Sequence, residues 1–101
     1  MEKSRQTLYQ QSEAYLKNLL KEKLPSGSRF FLFGSRAKGT AGEMADIDIG
    51  VIPAMDLQDE LKVIQDEIEQ SFVPYSVDLV DFSKISESFK QQALKKIIPW
   101  N

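Results

Sequence analysis

Two residue types are missing altogether from this 101-residue chain: cysteine and histidine. Without cysteine there is no disulfide, no thiolate nucleophile and no thiolate-held metal. Without histidine there is no Ser-His-Asp triad, no imidazole base and no histidine-ligated zinc. Chemistry must then run on carboxylates, hydroxyls, lysine and arginine, a set that suits hard cations with oxygen ligands, Mg²⁺ above all. No apolar run is long enough to cross a bilayer. The opening residues, MEKSRQTLYQQ, lack the apolar centre of a secretion signal, so a cytoplasmic protein is expected. An excess of positive charge is also missing: 13 Lys+Arg stand against 15 Asp+Glu, for a net charge of -2. That balance disfavours nucleic acid as the main partner, although a local basic patch remains compatible with it.

What is present fits one domain spanning residues 1–101. A core of this size folds alone but leaves no room for a separate acceptor-binding domain. Residues 4–24 read as an amphipathic helix, with Leu8, Ser12, Tyr15, Leu16, Leu19 and Leu20 at three- and four-residue spacings. Pro25-Ser26-Gly27 stops it. Residues 29–33 suit a strand buried on both faces. Residues 34–44 read as a loop with one helical turn. Residues 45–52 alternate, with Ile47, Ile49 and Val51 on one face and Asp46, Asp48 and Gly50 on the other. A second helix is expected over 56–71, a third strand over 75–82, a last helix over 86–96 and a terminal strand or docking tail over 97–100. The resulting class is α/β (α+β): a small mixed sheet, helices packed on one face, and the other face free to carry chemistry.

Three features could supply that chemistry. Asp46 and Asp48 lie two residues apart on an expected strand, so both side chains project from one face. Adjacent carboxylates repel, and a cation between them relieves the repulsion. Two-metal phosphoryl transfer needs such a platform. Taken alone, Asp-x-Asp also fits a solvated strand face. Gly34-Ser35 follows directly on the buried strand, where glycine permits close approach of a phosphate and the free amides and hydroxyl can bind its oxygens. An ordinary strand-to-helix turn with a serine cap has the same sequence. Asp78, within Val77-Asp78-Leu79-Val80, shares the parity of the open face, whereas Asp81 has the opposite parity. Arg36 could neutralise phosphate charge or be a solvated loop cation; Lys38 reads as the latter. Trp100 fits a partner anchor or a packed terminal residue.

Phe33-Gly34-Ser35-Arg36-Ala37-Lys38-Gly39 and, with ten residues between it and Ser35, Asp46-Ile47-Asp48 together resemble the signature of the DNA polymerase beta-like nucleotidyltransferase superfamily, in its minimal nucleotidyltransferase (MNT) form. The resemblance covers residues 30–82 by motif and the chain by size. It implies the nucleotidyltransferase fold, with Gly34, Ser35 and Arg36 at the nucleotide and Asp46, Asp48 and Asp78 as catalytic residues holding two Mg²⁺. It also implies transfer of AMP from ATP to an acceptor hydroxyl. In some members this is a tyrosine of a helical HEPN toxin, which makes the chain a type VII antitoxin and a protein adenylyltransferase. A non-catalytic binding antitoxin, or a transferase acting on RNA or a small molecule, stays open as an alternative, as does homo- or hetero-oligomerisation. One departure is Glu43-Met44-Ala45, where many members carry a serine just before the first aspartate; Glu43 is expected to point to solvent.

Overall fold

The computed structural model describes residues 7–101. The expected first helix began at residue 4, and residues 4–6 lie outside the described part. Helix α1 (Leu8–Lys23) opens on a reciprocal cap. Thr7 Oγ1 accepts from Gln10 N at 3.0 Å, and Gln10 Oε1 accepts from Thr7 N at 2.8 Å. Lys21 and Lys23 in the last turn complement the helix dipole. Leu24, which precedes Pro25, is extended and ends the helix, because proline disfavours helical backbone before it.

Strand β1 (Arg29–Phe33) leads through the short helix α2 (Ser35–Lys38) to β2 (Ile47–Ile52). Helix α3 (Gln58–Glu69) crosses to β3 (Val77–Asp81), and helix α4 (Glu87–Ala93) precedes the two-residue β4 (Ile98–Pro99). The sheet order is β3-β2-β1-β4. β1 pairs antiparallel with β2 and β4, while β2 and β3 run parallel. A parallel pair needs a crossover, which α3 provides. All the expected elements form; β1 keeps its bounds, and the ends of the others move by no more than four residues, as helix and strand ends commonly do.

One face of the sheet carries Phe30, Leu32, Ile47, Ile49 and Val51 against Leu16, Leu19 and Leu20 of α1 and Leu61, Ile64 and Ile68 of α3. Ile47, Ile49 and Val51 are fully buried. Trp100 packs into this same core, with Lys17 Nζ 5.5 Å from its ring centre, so it is a packed residue rather than a projecting anchor. Asn101 closes the edge of β1 by accepting from Phe30 N and donating to Ser28 O.

The opposite face is divided, which periodicity alone does not announce. One part holds a second, aromatic cluster of Phe31, Phe33 and Phe82, with Val80, Ile85, Ala93 and Ile97 packed on it. Phe31 and Phe82 meet edge-on at 5.0 Å, and Phe33 and Phe82 at 5.3 Å. Gly50 makes this possible: a Cβ there would overlap the Phe31 ring and come within 2.8 Å of Phe82 Cε1. The rest of the face, beyond Phe33, is left to carboxylates.

Candidate active site

Parallel pairing of β2 and β3 puts Asp48 directly beside Asp78, and antiparallel pairing of β1 and β2 puts Phe33 beside Asp48 on the other side. The strand that ends at Phe33 therefore delivers Gly34 to the Asp48 carboxylate. Gly34 has φ 75° and ψ -156°, a backbone state reserved for glycine. A Cβ on it would overlap Asp48 Oδ2 and lie 3.2 Å from Asp48 Cγ. The Gly34 backbone and the Asp48 carboxylate thus share one small space.

Ser35 opens α2 immediately afterwards, and its hydroxyl bonds to no protein group among the described residues. Gly34 O receives Ala37 N and Lys38 N at 3.1 Å each. The amides at the very start of α2 have no upstream carbonyl in the helix to pair with. Gly39 follows in the left-handed conformation and lets the chain leave the helix. Lys38 is exposed, as expected.

Asp46 sits one residue ahead of β2 rather than inside it. Both peptide groups beside it are held. Ile47 N donates to Ser76 O at 2.8 Å. Ala45 O accepts from Arg36 Nε at 3.0 Å and from Arg36 Nη2 at 2.9 Å, while Nη2 also reaches Glu43 O at 3.1 Å. The Arg36 guanidinium lies 4.2 Å from the Tyr9 ring centre and 4.9 Å from that of Tyr75. Those two rings meet edge-on at 5.7 Å. Burial, then the neighbouring Glu13 that accepts its hydroxyl hydrogen bond, pushes the Tyr9 phenol up to about 12, so it stays neutral and keeps its stacking face. Tyr9 and Tyr75 were not singled out by sequence, since neither belongs to a motif.

Burial raises the Asp48 carboxyl above its ordinary range, and the charges of Asp78 and then Asp46 add to the shift. The three carboxylates thus share one electrostatic neighbourhood, although among the described residues they do not converge on a single point. Like charges favour such divergent side chains. Asp46 and Asp78 line a cleft of about 110 Å³ with Ser76 and Val77. A wider cleft of about 340 Å³ shares Ser76 and Val77 with it and continues past Tyr75, Pro74 and Glu69. Asp81, the rival to Asp78, stands apart: its Oδ1 accepts from Ser83 N and Ser83 Oγ in the turn after β3. Glu43 is exposed.

Comparison with known proteins places this geometry. A family model for the nucleotidyltransferase domain matches residues 14–100. The Haemophilus influenzae protein described as a probable protein adenylyltransferase, MntA, is 33% identical over 82 residues, which are 77% of this chain and 68% of that protein. Among solved structures, a toxin-antitoxin complex with AMP-PNP superposes with a TM-score of 0.68 at 30% identity, covering 88% of this chain and 72% of its match. A complex of the tri-AMPylated Shewanella oneidensis HEPN toxin with its MNT antitoxin gives a TM-score of 0.68 at 26% identity, covering 91% and 71%. Among the described residues no helix is long and apolar enough to cross a membrane. A carboxylate on β2, another just ahead of it and a third on the parallel neighbour, beside a glycine-serine turn, are thus set in a chain that belongs to the nucleotidyltransferase domain family and is a nucleotidyltransferase.

Proposed function

We propose that this chain transfers AMP from ATP to the hydroxyl of a tyrosine on a HEPN-type toxin, and so acts as the antitoxin of a type VII pair. The observation that carries the reading is the register of Asp48 against Asp78, with Gly34 brought to the Asp48 carboxylate by the adjacent strand. Likeness to an adenylyltransferase and to complexes of HEPN toxins with MNT antitoxins supports the choice of nucleotide and partner.

The donor set fits Mg²⁺. Asp46, Asp48 and Asp78 are hard oxygen donors; burial and then repulsion from Asp78 and Asp46 raise the Asp48 carboxyl, and a bound cation would relieve the repulsive part. These three residues would hold two ions. When bound, Mg²⁺ supplies charge neutralisation at the triphosphate and acidifies the attacking hydroxyl. Gly34 lets the triphosphate approach the backbone, and the Ser35 hydroxyl and the first α2 amides bind its oxygens. Arg36 serves the nucleotide site through the loop whose carbonyls it already holds. Asp78, exposed at the cleft, takes the proton of the acceptor hydroxyl. The acceptor oxygen then bonds to the α-phosphorus as the bond to pyrophosphate breaks. No imidazole is required, in keeping with a chain without histidine.

The test is label transfer from α-³²P ATP with Mg²⁺ into protein and RNA fractions of a host-cell extract, with wild type beside Asp46→Asn. One labelled protein band, lost in the variant and mapped to a tyrosine, is the expected result. Label in RNA instead would replace the acceptor. No label, together with undiminished toxin neutralisation by Asp46→Asn, would replace the enzyme with a binding antitoxin.

A further inference from the structure

Asp78 occupies the most exposed position of the three carboxylates in one respect: β3 is an edge strand. The inward peptide groups of β3 pair with β2, and just ahead of the strand Ile47 N donates to Ser76 O. The outward groups of Val77 and Leu79, the residues on either side of Asp78, have no strand to pair with. An open edge of this kind frays and invites foreign strands. Here it is closed by one side chain. Gln65 Nε2 donates to Val77 O at 2.8 Å, and Gln65 Oε1 accepts from Leu79 N at 3.2 Å. A primary amide has one acceptor and two donors, so it can stand in for the peptide group of a missing strand. Its orientation is dictated, because Val77 O only accepts and Leu79 N only donates. The second Nε2 hydrogen reaches Glu69 Oε2 at 3.3 Å, one helical turn on.

The placement follows from α3. Leu61, Ile64 and Ile68 form its buried stripe, and Gln65 lies on the flank of that stripe, half-buried against β3. From the sequence it reads as a polar residue of a solvated helix face. We infer that Gln65 is a positioning residue for the transfer reaction: it clamps the two peptide groups that bracket Asp78 and so fixes the third carboxylate opposite Asp48. This rests on the assignment of Asp78 to the active site made above. Asp48 needs no such device, since β2 is paired on both sides, and Asp46 has its own in Arg36 and Ser76 O.

The experiment compares wild type, Gln65→Met, Gln65→Glu, Asp78→Asn and the control Lys62→Met, an exposed position on the same helix. Gln65→Met keeps the length of the side chain and loses both hydrogen bonds. Gln65→Glu retains an acceptor for Leu79 N and loses the donor to Val77 O. Two readouts are taken on the full chain: hydrogen exchange at the Leu79 amide, and the rate of AMP transfer from α-³²P ATP as a function of ATP concentration. In Gln65→Met, Leu79 exchange should accelerate about tenfold while amides of β1 keep their protection, as expected for loss of a single local bond. Turnover should fall roughly 10- to 100-fold, the usual effect of a misplaced catalytic group, with KM for ATP within about twofold. Gln65→Glu should lie between Gln65→Met and wild type in Leu79 exchange, and Lys62→Met should match wild type. An unchanged Leu79 exchange in both Gln65 variants would overturn the clamp. Fast exchange with turnover within twofold of wild type would reduce Gln65 to an edge closure and overturn the inference, provided Asp78→Asn is inactive. An active Asp78→Asn would instead overturn the site assignment on which the inference stands.

Discussion

Replacing Gly34 by alanine adds one methyl group and should disable the site and the fold together. The first contribution is backbone: φ 75° with ψ -156° is open to glycine alone, and a residue with a Cβ held there costs roughly 1–3 kcal/mol. The second is contact. The new Cβ would overlap Asp48 Oδ2, so the carboxylate must leave its rotamer, at about 0.5–1.5 kcal/mol. Together these reach about 2–4 kcal/mol, a large share of the roughly 5–15 kcal/mol that holds a domain folded. At about 4–8 °C per kcal/mol, the expected fall in Tm is on the order of 10–30 °C. Urea or thermal unfolding of wild type, Gly34→Ala, Asp48→Ala and the double variant separates the two contributions. Asp48→Ala leaves only its own Cβ, 3.4 Å from the added methyl, an ordinary contact. In that background Gly34→Ala should therefore cost less, by about the 0.5–1.5 kcal/mol assigned to the carboxylate. A Gly34→Ala variant within about 0.5 kcal/mol of wild type, the usual span of a neutral surface substitution, would refute the strained turn. An identical cost in both backgrounds would refute the contact with Asp48.

Three further expectations follow from the same geometry. Asp48→Asn should stabilise the metal-free protein at neutral pH by a few tenths to about 1 kcal/mol, the scale of a like-charge cross-strand pair that is partly screened. Its carboxyl is raised in the folded state, so the penalty is absent below the unfolded pKa and complete once pH exceeds the folded one; a Tm advantage that persisted under strongly acid conditions would contradict it. Arg36→Lys keeps the charge but cannot fork across Ala45 O and Glu43 O or stack between Tyr9 and Tyr75, so transfer should fall nearly as far as in Arg36→Ala, and near-wild-type rates with lysine would instead show a direct phosphate contact. Gly50→Ala should lower stability by about 1–3 kcal/mol through crowding of Phe31 and Phe82, read by chemical denaturation, with no change in KM for ATP in the fraction that stays folded.

Much of this protein is legible in its amino acids because periodicity and local chemistry are strong there. The alternation over 47–52 places Ile47, Ile49 and Val51 in the core and Asp48 on the other face, and pairing respects it. Pro25 marks the end of α1 through a forced break, whereas the Thr7 and Ser86 caps set helix starts later than periodicity placed them. Sequence parity also separates Asp78 from Asp81, since a strand of period two leaves no other choice.

Other features depend on which elements meet, and no local signal contains that. The same-face parity of Asp48 and Asp78 comes from sequence, but their adjacency comes from the parallel pairing of β2 with β3 across α3. The aromatic cluster around Phe31, Phe33 and Phe82 draws on residues far apart in the chain and needs Gly50 to be opposite Phe31. Arg36 reads in the sequence as a phosphate-neutralising or a solvated cation; in the fold it also forks onto loop carbonyls beside two tyrosines, because α1 brings Tyr9 and the approach to β3 brings Tyr75 to it. Gln65 is a polar helix residue until a sheet edge lies within reach of its amide. Which residues could be buried and which could carry charge is readable along the chain, because those properties are local. Which carboxylates became neighbours, and which polar side chains hold them there, was settled by the packing of distant elements, because hydrogen bonds and repulsion act across space and not along the chain.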